Sequence, residues 1–326
     1  MKTVIGIDLG GTNVRVAKIT EQGEVLQEIK SPSYGMEGPE KVTSNIINLV
    51  KQIEGYKECA GIGIGVPGPV DTINRVMKLS SNLKGFVDYP LAEKLEEATG
   101  LPTFMDNDAN VAGLAEARVG AGKGLPIVYY VTISTGIGGA LCVDGKVVSG
   151  RKGYAGEVGN LIIDPYREPF NNLNAGASES EASGRALTRK GQAIFGEDKI
   201  NHAGDVFELA VSGNEEARKL VDQMTTDLAV LFSHIALITD PHMFVIGGGM
   251  TKSKEYWWDA MIEKFQQRVH GGMRDVTFTV AQLDEPGIVG AAMLPRPPAD
   301  RPQAPLPAKL IMFHTDDNTP ERLHIR

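Results

Sequence analysis

Asp8, Gly10, Gly11, Thr12 and Asn13 stand in one run, Asp8-Leu9-Gly10-Gly11-Thr12-Asn13, directly after an apolar, β-branched stretch. Glycines let backbone N–H groups approach an anion closely, and Thr12 and Asn13 add side-chain donors, so the run reads as a phosphate-binding hairpin. Asp8, at the strand end, offers the carboxylate oxygen that a hydrated Mg²⁺ prefers. A tight hairpin with no ligand is the alternative. Two further loops favour the ligand: Ser134-Thr135-Gly136-Ile137-Gly138-Gly139, and Gly247-Gly248-Gly249 after Phe244-Val245-Ile246. Two strand-terminated Gly/Thr loops can clamp a polyphosphate from both sides, and the third offers a nucleotide a floor free of side chains.

The cluster Asp106-Asn107-Asp108 lies between a short apolar strand and a helical stretch. One of its side chains can cap the helix. Asp108 can also serve as a general base for a hydroxyl proton while Asn107 hydrogen-bonds neighbouring hydroxyls. The two readings are compatible, because the cluster has more oxygens than a helix end needs. Asn82, Glu157 and Glu179 are single polar residues in Gly/Ser-rich surroundings and, by themselves, read as solvated loop residues.

Strands must carry these loops. Val4 to Asp8 and Val14 to Ile19 read as a strand and its return, and Ile127 to Ile133 with Ala140 to Val143 repeats the pattern, followed by the hairpin signal Asp144-Gly145. Two similarly built halves are therefore expected. Glu40 to Ile53, Leu91 to Thr99, Ala109 to Arg118 and Glu215 to Thr239 read as helices. Ala60 to Val66, Pro102 to Met105 and Met243 to Ile246 read as strands. The class is α/β. Trp257-Trp258 reads as packing, and the histidines, His234 in the long helix among them, lie outside the motifs.

With 326 residues, 42% of them hydrophobic, the chain can bury a core and has room for about two domains. A net charge of −8 argues against nucleic acid and anionic lipid as partners. Two isolated cysteines, Cys59 and Cys142, fit a reducing cytoplasm rather than a disulfide framework, and neither a membrane span nor a signal peptide is expected. Six of the 18 prolines fall between Pro295 and Pro307, so Pro295 to Arg326 reads as a tail of extended or variable structure, with Leu310 to Phe313 apolar enough to dock.

In order along the chain, the motifs resemble those of the ROK family of sugar kinases and sugar-responsive repressors, especially its glucokinase-like members. They are Gly6-Ile7-Asp8-Leu9-Gly10-Gly11-Thr12, the run from Gly61 to Asp71, Ser81-Asn82-Leu83, Asn107-Asp108-Ala109-Asn110, Ser134 to Gly139, Gly156-Glu157-Val158-Gly159, Gly247-Gly248-Gly249, and Gly287 to Ala292. The resemblance implies an actin-like ATPase fold with two ribonuclease-H-like domains and the sugar in the cleft between them. The expected division is 1–112 with 287–296, then 113–286, then the tail 297–326. It also implies that Asp108 is the catalytic base, that Asn82, Asn107, Glu157 and Glu179 bind sugar hydroxyls, and that Asp8, Gly10, Gly11, Thr12, Thr135, Gly136 and Gly248 serve MgATP. Asn13, Gly138 and Gly247 join that ATP set as loop neighbours. Repressor members carry a DNA-binding domain ahead of the first phosphate loop; here the loop begins at Asp8, which favours the kinase branch. Family members often form homodimers.

One departure is chemical. Many members bind structural Zn²⁺ through a His that also touches the sugar and through three cysteines; here those positions hold Asn160, Phe170, Asn172 and Ala177. Without thiolate or imidazole, zinc is not expected, and the loop from Asp164 to Ala175 must be held by packing or amide hydrogen bonds. Asn160 becomes a candidate sugar contact. The expected reaction is ATP-dependent phosphorylation of a hexose at its 6-hydroxyl. The alternatives are a kinase for an N-acetylated amino sugar or another hexose, a polyphosphate-dependent glucokinase, and a non-catalytic sugar sensor.

Overall fold

The apolar opening stretch forms β1 (Thr3–Leu9), turns at Gly10-Gly11-Thr12 and returns as β2 (Asn13–Thr20), with β3 (Val25–Pro32) added outside it. The computed structural model describes residues 2–80 and 82–295, so Ser81 and nearly all of the expected tail, Leu310 to Phe313 included, lie outside the described residues. Helix α1 (Pro39–Gln52) begins with proline, whose missing N–H costs nothing in a first turn. After it come β4 (Ile62–Val66), the short strands β5 (Val70–Asp71), β6 (Val76–Leu79) and β7 (Val87–Tyr89), and α2 (Leu91–Thr99). Then β8 (Thr103–Asn107) runs straight into α3 (Asp108–Arg118). The main sheet has the order β3-β2-β1-β4-β8, with β1, β4 and β8 parallel.

The second half repeats this plan. Its elements are β9 (Ile127–Ile133), β10 (Ile137–Val143), β11 (Lys146–Val147), α4 (Ser178–Ala182), α5 (Gly184–Phe195), α6 (Ala203–Val211), α7 (Glu215–Thr239), β12 (Met243–Gly247), α8 (Trp258–Gln266) and β13 (Thr277–Val280). The order β11-β10-β9-β12-β13 matches that of the first sheet position for position, with β9, β12 and β13 parallel. The two halves expected from the repeated strand–turn–strand pattern are thus one topology used twice. Helix α9 (Pro286–Ala292) then returns to the first sheet and packs on β1, β4 and α3.

Each sheet has its own core. Ile5, Ile7, Val14, Ile62 and Ile64 pack against Ile46 and Leu95 from the helices of the first half. In the second, Phe244 stacks on Phe278 with centroids 4.8 Å apart, and Phe232 and Phe265 meet that pair edge-on. Trp257 is fully buried and donates from Nε1 to the Met250 carbonyl, as the packing reading expects. Among the described residues no helix is long and apolar enough to cross a membrane.

One loop is shorter than expected. Ile137, Gly138 and Gly139 pair with Ile133, Thr132 and Val131, so they belong to β10 and only Ser134, Thr135 and Gly136 form the turn. Likewise the strand expected to end at Met105 extends to Asn107, carried by pairing with Gly65 and Val66.

Candidate active site

The cluster at the end of β8 divides its labour. Asp106 is buried; its Oδ1 accepts from the Asn107 amide and Asn110 Nδ2, and its Oδ2 accepts from Ser149 Oγ. Asn107 is the helix cap: its Oδ1 accepts from the amides of Ala109 (2.9 Å) and Asn110 (3.4 Å), and its Nδ2 donates to the Gly68 carbonyl. That leaves Asp108 with a task other than capping. Its Oδ1 accepts from the Ala109 amide at 2.8 Å, and the Asn107 side chain also donates to its carboxylate.

The Asp108 side chain is open to solvent yet surrounded by protein mass, the situation of a group on the floor of a cleft. Loss of bulk water pushes its carboxyl from the ordinary 3.8 up to about 6; the Ala109 amide pulls it back in part, and the negative charge of Asp8 pushes it further. Three more carboxylates stand around it. Glu157, just ahead of a short turn of helix, is raised by burial and by the charges of Asp108 and Glu179. Asp8 at the end of β1 is raised by burial against the opposing pull of Arg15, whose Nη2 lies 3.7 Å away. Arg15 is shared with Glu285, at the start of α9, through a close ion pair. Glu179, in the first turn of α4, accepts from the Ile137 amide at 2.8 Å. The structure thus brings Asp8, Asp108, Glu157 and Glu179 together from four elements.

Both glycine turns leave amides unspent. In the first, the Gly10 amide donates to the Asn13 carbonyl, while those of Gly11 and Thr12 have no partner among the described residues. Buried Ser33 holds this turn, donating from Oγ to the Gly11 carbonyl and from N to that of Thr12. Asn82 packs over it: a Cβ on Gly11 would stand 3.1 Å from the Asn82 carbonyl oxygen. The Thr12 and Asn13 side chains are exposed. In the second turn the Ser134 amide is spent on the Gly136 carbonyl, whereas those of Thr135 and Gly136 have no partner among the described residues. Unspent amides at a strand end are where an anion can bind.

The third glycine run is shaped by packing. A Cβ on Gly247 would strike Tyr130 Oη at 2.3 Å, and Gly248 sits at φ 87 against the Ile133 carbonyl. Gly249, not its two predecessors, opens with Thr135 onto a cavity of about 780 Å³, a size suited to a small ligand. One face of α5 lines it with Arg185, Thr188, Arg189 and Gln192, and Lys252 faces it too. Sequence reasoning missed these residues: their i, i+3, i+4, i+7 spacing was visible, but a polar helical stripe ordinarily means a solvated face. Gly138, expected at the nucleotide, lies within β10 against Ala109 and Thr132.

Asn160 turns its Oδ1 to the Asn174 amide at 2.8 Å and so closes the loop that zinc would otherwise tie. No thiolate or imidazole stands at the four positions, and zinc does not fit there. Beyond the expected amide bonds, a partly buried ion network holds the loop. Arg167 binds Asp227 through both Nη atoms at 2.7 Å, Glu181 at 2.8 Å and Asp164 at 3.1 Å, and Lys190 also binds Glu181.

Two sheets of one topology, each opening with a hairpin whose turn carries unspent amides, and a cleft carboxylate raised towards neutrality, define a phosphotransferase of the actin-like ATPase fold. The chain belongs to the ROK family, whose model matches residues 4–297, and is one of its sugar kinases. It is 31% identical to a glucokinase of Halalkalibacterium halodurans over 89% of this chain and 94% of that protein. Among solved structures, a ROK hexokinase from Thermus thermophilus superposes with a TM-score of 0.81 at 32% identity, covering 90% of this chain and 97% of that one. A ROK family glucokinase from Streptomyces griseus in complex with glucose and AMPPNP gives 0.73 at 29% identity, covering 90% and 98%.

Proposed function

We propose that the protein transfers the γ-phosphoryl group of ATP to the 6-hydroxyl of a hexose, with Asp108 as the base. The observation that carries this reading is the Asp108 carboxylate: gathered with Asp8, Glu157 and Glu179, its pKa pushed up to about 6, and glycine turns on both sides of the fold. A base in that range is ionised at neutral pH and still basic enough to accept a hydroxyl proton as the nucleophile attacks. Glu157, whose carboxylate has no hydrogen-bond partner among the described residues, accepts from sugar hydroxyls. Asn82, Asn107, Asn160 and Glu179 complete the sugar contacts.

On the donor side, the amides of Gly11, Thr12, Thr135 and Gly136 take the phosphate oxygens. Asp8 fits a magnesium ion brought in with the nucleotide: its carboxylate is a hard oxygen donor and the nearest cation, Arg15 Nη2, is 3.7 Å away. Magnesium would neutralise charge developing on the phosphoryl oxygens. The enzyme works in the cytoplasm as a homodimer in this reading.

The test is coupled ADP release with MgATP across glucose, mannose, fructose, N-acetylglucosamine, N-acetylmannosamine and allose, beside Asp108→Asn. Turnover on one sugar that Asp108→Asn abolishes supports the reading. Sugar binding by calorimetry without turnover on any sugar overturns it in favour of a sensor.

A further inference from the structure

Two arginines near the zinc-free loop have opposite electrostatic fates. Arg167 is neutralised by Asp164, Glu181 and Asp227. Arg189 forms no ion pair among the described residues: its guanidinium lies 3.9 Å from the Phe170 ring centroid, Nη2 donates to the Ser180 carbonyl, and Nε is buried without a hydrogen-bond partner. The aromatic face and the single carbonyl fix the group in place without cancelling its charge. Around it, the 780 Å³ cavity is lined by Arg185 and Lys252 and, among the described residues, by not one Asp or Glu, in a chain whose net charge is −8. Thr135 of the second glycine turn lines the same cavity. Immobilised, unneutralised positive charge beside unspent phosphate-binding amides is built for a polyanion.

We propose that Arg189, seated on Phe170, is a specificity-determining residue that grips the phosphate chain of the phosphoryl donor. Phe170 stands where the resemblance would put a zinc cysteine, so the residue that replaces a metal ligand serves the donor pocket instead. The inference rests on the sugar-kinase reading for the donor's role, but not for the binding of the anion.

The experiment is calorimetric titration of the full chain, without sugar, using MgATP, inorganic tripolyphosphate and adenosine as separate probes. Arg189→Gln is expected to weaken MgATP and tripolyphosphate by about 10- to 100-fold, the worth of a charge-assisted hydrogen bond, and to leave adenosine unchanged. Phe170→Leu is expected to weaken both polyanions by roughly threefold to tenfold through loss of the cation–π seat. Arg189→Lys restores charge without the planar stack and is expected to recover only part of the affinity. In turnover assays the KM for donor rises while that for sugar holds. Unchanged polyanion affinity in a folded Arg189→Gln or Phe170→Leu protein overturns the proposal, as does an equal loss for adenosine, which would mean that the guanidinium reads the base. If the wild type binds tripolyphosphate through Arg189 but phosphorylates no sugar, the anion grip stands while its assignment to a phosphoryl donor falls with the kinase reading.

Discussion

Glu179 Oε2 accepts a hydrogen bond at 2.8 Å from the amide of Ile137, the first residue after the Ser134–Gly136 turn. A residue expected at the sugar is thereby fastened to a turn expected at the donor. Movement of either displaces the other, so under the proposed function this one contact couples the placing of the hydroxyl to that of the phosphoryl group.

Gly136→Ala tests that coupling. Its Cβ would stand 2.3 Å from Glu179 Oε2, which forces the carboxylate off the Ile137 amide. Misplacement of about an ångström costs on the order of 100-fold in rate. The expected outcome is a loss of that order in kcat/KM with a rise in the sugar KM, while circular dichroism shows an intact fold. A mutant with wild-type sugar KM would separate the two sites.

As the proposed base, Asp108 is expected to govern both rate and stability against pH. The base must be ionised, so kcat/KM is expected to fall roughly tenfold per unit as pH drops below about 6. In the unfolded chain the same carboxyl titrates near 3.8, so above about 6 its ionised form costs stability, and the cost disappears as pH falls through 6 towards 3.8. Asp108→Asn should lower kcat by about 10²- to 10⁴-fold and raise the melting temperature at pH 8, with the gain shrinking below pH 6. Steady-state kinetics and thermal melts across pH check both signs.

The loop that follows Asn160 should be indifferent to chelators. Incubation with EDTA is expected to leave the melting temperature unchanged, since ion pairs and amide bonds hold Asp164 to Ala175. Arg167→Met, which leaves buried Asp227 without its cation while Glu181 keeps Lys190, is expected to cost about 3–5 kcal/mol by urea denaturation.

Glu116 ties the helix that starts at Asp108 to the segment leading into α9. It is fully buried, and its oxygens accept from the amides of Gln282 (3.0 Å), Leu283 (2.8 Å) and Ala121 (2.9 Å). Glu116→Gln turns an N–H towards an N–H and should destabilise by about 1–3 kcal/mol. Amide exchange is the measure: Gln282 and Leu283 should lose protection well before the core strands.

Much of this was visible in the chain because it is local. A β-branched run ending in Gly-Gly-Thr, a Ser-Thr-Gly turn and a cap cluster between strand and helix each state their conformation within a few residues. Even the duplicated topology could be read from the recurrence of strand, turn and strand. Composition showed the core and the negative charge. What folding alone decided are pairings across long separations. Arg167 meets Asp227, and Glu116 meets Leu283, across stretches that no local pattern spans. The cap and the base could not be told apart in Asp106-Asn107-Asp108 until the Asn107 oxygen was seen on the helix amides. Nor could the stripe on α5 be distinguished from a solvated face, because whether a cation is neutralised or left charged beside a cavity depends on what the rest of the chain places within about 4 Å of it.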